Sequence, residues 1–169
     1  MLDQDIVAAA GRLLDICVRK KLMIATAESC TGGLVAGTLT ELPGTSGMLD
    51  RGFITYSNRA KQDMLAVPED IIRTFGAVSR ETAEAMAQGA LSHSSVDLAV
   101  SVTGIAGPTG DEGGKPVGLV HFAAASKSGL LIHNEKQFGN PGRSEIRKRA
   151  VLQAFVMLHD LAEKVPANR

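Results

Sequence analysis

The chain has 169 residues, with 18 Lys and Arg set against 18 Asp and Glu, so its formal net charge is zero. That length suits one domain over residues 1–169 with a core of its own, and the balanced charge, with no basic stretch interleaved with aromatics, disfavours a nucleic-acid surface. Two cysteines, Cys17 and Cys30, make no disulfide framework, and acids inside the apolar N-terminal stretch exclude a secretory signal or a membrane span, so a cytoplasmic location with no membrane partner is expected.

Residues 3 to 20 place Ile6, Val7, Ala10, Leu13, Leu14, Cys17 and Val18 at helical spacing, with Asp3 or Asp5 available as cap. Residues 22–27 read as a buried strand. It runs into the turn Glu28-Ser29-Cys30-Thr31-Gly32-Gly33, and a helix continues to about Leu42. Leu42 to Gly47 is loop by composition, and residues 52–57 read as a second strand. Ser57 or Asn58 then caps a short helix carrying Lys61, Val67-Pro68 opens another, and Ser79 begins a longer one. Residues 97–103 are an almost wholly apolar strand, read as central and covered on both faces. A loop with five glycines, Gly104 to Lys115, leads to a hairpin of residues 117–125 and 130–138. The last helix spans 143–164, and the final Pro-Ala-Asn-Arg is expected to fray.

Strands alternating with helices and closed by a hairpin predict an α/β fold. The expected form is a three-layer α/β/α sandwich on a mixed, mostly parallel sheet with a C-terminal antiparallel hairpin. Ligands of such sheets bind outside the carboxyl ends of the strands. Three polar or glycine-rich turns, at Ser29–Gly33, Tyr56–Asn58 and Thr103–Gly104, are expected to share that edge.

Ser29 or Cys30 is a nucleophile candidate at a helix entry, with the backbone N–H groups of Cys30, Thr31, Gly32 and Gly33 as an oxyanion hole. A serine needs a base, and the four histidines lie away from the turns. His121 and His133 can approach across the hairpin, but two such ligands make a poor metal site. Lysine is the other known partner of serine. Lys61 is the candidate, because burial and a helix N-terminus both lower a lysine pKa. Tyr56 can relay the proton or orient the lysine. Arg143 and Arg147, one helical turn apart, could clamp a phosphate, and the glycine loop resembles an anion nest in composition.

T-A-E-S-C-T-G-G at 26–33, R-G-F-I-T-Y-S-N-R-A-K at 51–61, G-A-V-S at 76–79 and S-V-T-G-I-A-G-P at 101–108 resemble the CinA C-terminal domain family, the nicotinamide-nucleotide amidohydrolases. K-P-V-G-L-V at 115–120 and G-R-S-E-I-R at 142–147 extend the resemblance over nearly the whole chain. It implies hydrolysis of the carboxamide of nicotinamide mononucleotide, without metal or cofactor, by Ser29 with Lys61 and Tyr56. It also makes Thr103, Gly104, Ile105, Ala106, Gly107, Arg143 and Arg147 contacts to a small-molecule nucleotide, and it leaves a homodimer or higher homo-oligomer open. Many members carry G-D-R where this chain reads Gly139-Asn140-Pro141-Gly142-Arg143, which displaces the register of any arginine clamp. Activities of the N-terminal domain of long CinA proteins, such as pyrophosphate hydrolysis, are expected to be absent.

Overall fold

Asp3 starts the first helix, its carboxylate accepting the Asp5 N–H as N-cap of α1 (Gln4–Lys20). The structure, a computed structural model, describes residues 3–111 and 113–169. After α1 come β1 (Ile24–Glu28), α2 (Leu34–Thr40), a tight helical turn at Thr45–Gly47 and β2 (Leu49–Ile54). Three helices follow, α3 (Asn58–Leu65), α4 (Glu69–Phe75) and α5 (Arg80–Ser92). The chain ends with β3 (Leu98–Gly104), β4 (Leu119–Ser126), β5 (Leu131–Gln137) and α6 (Arg143–Lys164).

The sheet order is β2-β1-β3-β4-β5. β1 pairs parallel with β2 and β3, while β4 is antiparallel to both β3 and β5. This is the expected α/β/α sandwich with an antiparallel hairpin at one side. Alternation along β3 sorts its side chains between two cores. Leu98, Val100 and Val102 join Leu13 of α1 and Ile146 and Phe155 of α6. Ala99 packs on the opposite face with Met86 and Ala90 of α5. With both faces covered, polar alternation is not required, which is why β3 reads as a mostly apolar run broken only by the buried hydroxyls of Ser101 and Thr103.

Small residues bring α5 close to its neighbours. Ala83 and Ala87 meet Ala123 and Ala125 of β4, and a Cβ on Gly89 would lie 2.1 Å from the Leu65 carbonyl oxygen. Any larger residue at 89 would push α3 outward, and α3 carries Lys61 over the sheet edge.

Among the boundaries that differ from expectation, three do so for a clear local reason. β1 starts at Ile24 rather than residue 22, because Lys21 takes a left-handed C-cap and the Leu22 N–H still donates to Cys17 of α1. β2 occupies Leu49–Ile54 rather than 52–57. After one more bond, from Thr55 N–H to the Glu28 carbonyl, the chain turns so that Ser57 can cap α3 through the Ala60 N–H. Tyr56 therefore lies beyond the strand it was expected to close. The C-terminal tail does not fray, since Asn168 donates from its backbone to Lys20 and from its side chain to Lys21.

Candidate active site

Parallel pairing puts the carboxyl ends of β1, β2 and β3 at one edge of the sheet. Ser29 is the first residue past β1, anchored by its N–H to the Val102 carbonyl of β3 at 2.9 Å. The chain then turns sharply into α2. Gly33 caps that helix at φ 97, and a Cβ there would sit 2.9 Å from the Ile54 side chain, so a glycine suits it twice over.

Beneath the turn sits Glu28, with a carboxylate 1% exposed. Its Oε2 accepts the N–H groups of Gly33 and Val35, and its Oε1 accepts from Ala36 and from the Thr26 hydroxyl. A negative charge is tolerated there because it satisfies the orphan donors of a helix N-terminus. The residue was not singled out from sequence, although an acid directly before a turn into a glycine-opened helix is a readable signal.

Those bonds narrow the expected oxyanion hole to two of its four donors. The Gly33 N–H is committed to Glu28, and the Gly32 N–H donates to the Ser29 carbonyl at 3.0 Å. Among the described residues, the N–H groups of Cys30 and Thr31 have no acceptor in another residue. The free donors therefore lie one and two residues after Ser29.

Lys61 is 1% exposed. Its Nζ lies 3.1 Å from Ser29 Oγ and donates to the Thr55 carbonyl at 2.9 Å. Burial disfavours the ammonium and pulls the Lys61 pKa down from 10.5 to about 8. A usable fraction of the amine, about one-tenth at pH 7, is then neutral and able to accept a proton. The neighbouring Cys30 thiol moves the opposite way. Burial, more than any other influence, pushes its pKa up to about 12, which leaves it protonated and a weak nucleophile.

Ser29, Cys30, Tyr56, Lys61, Thr103 to Gly107 and Arg143 line a common cleft of about 300 Å³. Ala77, Val78, Thr109, Gly110 and Asp111 complete its wall. Thr103 is turned partly aside, its hydroxyl donating to the Ala77 carbonyl at 2.7 Å. Tyr56 is exposed, and its hydroxyl accepts from Arg143 Nη2 at 2.9 Å rather than bonding Ser29 or Lys61. Arg143 also donates to the Gly107 carbonyl, bridging the β2–α3 turn and the glycine loop.

The expected arginine pair is divided. Arg147 does not reach the cleft. Its Nε donates to the Cys30 carbonyl at 3.1 Å and its Nη2 to the Thr31 carbonyl at 3.0 Å. Four residues along α6 turn the second guanidinium inward onto the nucleophile turn, so Arg143 alone of the two faces the cavity. His121 and His133 do meet across the hairpin, Nδ1 to Nε2 at 3.0 Å, in neither case on the cleft wall.

Fold and site together describe an α/β/α domain with a buried serine–lysine pair at the carboxyl edge of its sheet. The chain belongs to the CinA family: the model of the CinA C-terminal domain matches residues 7–162. A CinA-like protein of Akkermansia muciniphila is 43% identical over 168 residues, covering 96% of this chain and 40% of its own. The solved structure of the competence/damage inducible protein CihA from Agrobacterium tumefaciens superposes with a TM-score of 0.93 at 51% identity, covering 95% of this chain and 98% of that one. A CinA superfamily protein from Escherichia coli superposes at 0.89 with 32% identity, over 95% and 93% of the two chains. This chain spans between 28% and 40% of the length of the curated relatives it matches. No described helix is long and apolar enough to cross a membrane.

Proposed function

We propose that this chain hydrolyses the carboxamide of nicotinamide mononucleotide to nicotinate mononucleotide and ammonia, with Ser29 as nucleophile and Lys61 as base. The observation that carries this reading is the buried Lys61 amine 3.1 Å from Ser29 Oγ, in a cleft that also holds an arginine. A pure nucleotide-binding surface has no use for a desolvated amine against a hydroxyl.

Neutral Lys61 takes the Ser29 proton as Oγ bonds to the amide carbon. The N–H groups of Cys30 and Thr31 receive the oxyanion. Lys61, now an ammonium, returns its proton to the amide nitrogen as the C–N bond breaks and ammonia leaves. Water then attacks the Ser29 ester, Lys61 accepts its proton, and that proton returns to Oγ as the carboxylate departs. Arg143 supplies the positive charge for the 5′-phosphate, and the glycine loop gives the sugar backbone close access. Tyr56 holds Arg143 in place instead of relaying a proton.

The test is ammonia release from nicotinamide mononucleotide by purified protein, coupled to detection of nicotinate mononucleotide. Turnover should vanish in Ser29→Ala and largely survive in Cys30→Ala. Nucleotide binding with no release above the Ser29→Ala control would replace this reading with that of a catalytically silent nucleotide-binding domain acting through a partner.

A further inference from the structure

Arg147 was expected at the substrate, yet its guanidinium grips two consecutive carbonyls of the nucleophile turn. Planar peptide units link those carbonyls to specific N–H groups. The Cys30 carbonyl, held by Arg147 Nε, belongs to the same amide as the Thr31 N–H. The Thr31 carbonyl, held by Nη2, shares its amide with the Gly32 N–H, which donates to the Ser29 carbonyl. The Ser29 carbonyl in turn shares its amide with the Cys30 N–H. Two relays thus start at one guanidinium. One ends on the Thr31 N–H after a single amide, the other on the Cys30 N–H after two. Those are the two turn donors left without an acceptor in another of the described residues.

We propose that Arg147 is a positioning residue that orients and polarises the Cys30 and Thr31 N–H groups as oxyanion donors through the peptide units of the turn. The inference rests on the serine-nucleophile reading given above. A cation bound to an amide oxygen draws electron density through the amide and makes its N–H a stronger donor, and chains of hydrogen bonds reinforce one another. The same contacts fix the plane of each amide. Because these peptides are trans, the Thr31 N–H points away from Arg147. Glu28 holds the α2 side of the turn by its N–H groups while Arg147 holds the other side by its carbonyls. The arginine also carries no salt bridge among the described residues, so its charge is not spent on a carboxylate.

The experiment compares wild type with Arg147→Met, Arg147→Ala and Arg147→Lys on nicotinamide mononucleotide, and separately on a small alkyl fluorophosphonate. The probe bonds phosphorus to Ser29 Oγ as the P–F bond breaks, and it places a phosphoryl oxygen at the oxyanion position without any nicotinamide. For Arg147→Met, kcat should fall ~10–100-fold with KM within about threefold, in keeping with partial loss of oxyanion-hole stabilisation. The phosphonylation rate should fall by a similar factor, and Arg147→Lys should keep more of both. Guanidinium at tens of millimolar should partly restore Arg147→Ala in a saturable way, which a purely structural arginine would not show.

An unchanged kcat and labelling rate in folded Arg147→Met overturns the proposal, as does a rise in KM alone, which would return Arg147 to the substrate. Should Arg147→Met not fold, the same two outcomes are read from Arg147→Lys. If wild type does not hydrolyse the nucleotide but Ser29 is labelled in an Arg147-dependent way, the substrate assignment fails and this inference stands. Absence of both turnover and labelling in wild type sinks both.

Discussion

Lys61 shows how one side chain trades stability for reactivity. Lowering its pKa from 10.5 to about 8 corresponds to roughly 3 kcal/mol of penalty on the folded state wherever the amine is charged. Below pH 8 both folded and unfolded chains carry the proton, and the full penalty applies. Between pH 8 and 10.5 the folded chain has lost it and the unfolded chain has not, so stability rises with pH across that window. Lys61→Met, which fills a similar volume without the charge, escapes this dependence. Urea melts of the two proteins should therefore converge in favour of wild type by about 3 kcal/mol between pH 8 and 10.5. A difference that is flat with pH would mean that the amine is not desolvated in solution. The same amine should impose a rise in kcat with pH that inflects near 8, and Lys61→Met should lower kcat by ~10²–10⁴. From sequence, Lys61 was readable as a residue just past a strand end. Its choice of Ser29 over solvent was not, because that depends on how closely α3 sits against α5 at Gly89.

The turn between β1 and α2 was legible as a strand-to-helix junction rich in glycine and hydroxyls, but its internal hydrogen bonds were not. Composition suggested that four N–H groups, from Cys30 to Gly33, were free. In the fold, Glu28 takes one and the Ser29 carbonyl takes another, which leaves Cys30 and Thr31 as the vacant donors. The element prediction follows from the bonds of Glu28. Glu28→Gln is nearly isosteric, yet one of its two terminal atoms must become a donor. In the better orientation the amide faces Ala36 and Thr26, leaving the part-buried Ala36 N–H without an acceptor. That should lower the unfolding free energy by about 1–3 kcal/mol in chemical denaturation. An unchanged denaturation midpoint would show that the carboxylate is not needed to cap α2. Helix boundaries were readable where capping chemistry is local, as at Asp3, Ser57 and Ser79, each of which accepts an N–H from its own first turn. The β2 boundary was missed because Thr55-Tyr56-Ser57 is as strand-like in composition as the residues before it, and only the need to begin α3 ends the pairing.

At the scale of the whole molecule, parallel pairing of β1 with β2 and β3 gathers turns distant in sequence, and this was the most legible feature of all. Alternating strands and helices force it. The reach of α6 was not legible. Its periodicity predicts the buried face of Ile146, Ala150 and Ala154, but two arginines four residues apart read alike until the helix is docked. Docking sends Arg147 to the turn and leaves Arg143 across the cleft mouth, tied to Tyr56 on one side and Gly107 on the other. If Arg143 meets the 5′-phosphate, its value should be felt only by substrates that carry one. Arg143→Ala should raise KM for nicotinamide mononucleotide by ~10–100-fold, the scale of a lost charge-assisted hydrogen bond. KM for nicotinamide riboside, which has the same amide and sugar but no phosphate, should change little. Comparing the two substrates within each protein cancels any loosening of Tyr56 or the glycine loop, since both substrates would suffer it alike. Equal losses on the two would make Arg143 a bridge that shapes the cleft, with the phosphate bound by the backbone of the glycine loop instead.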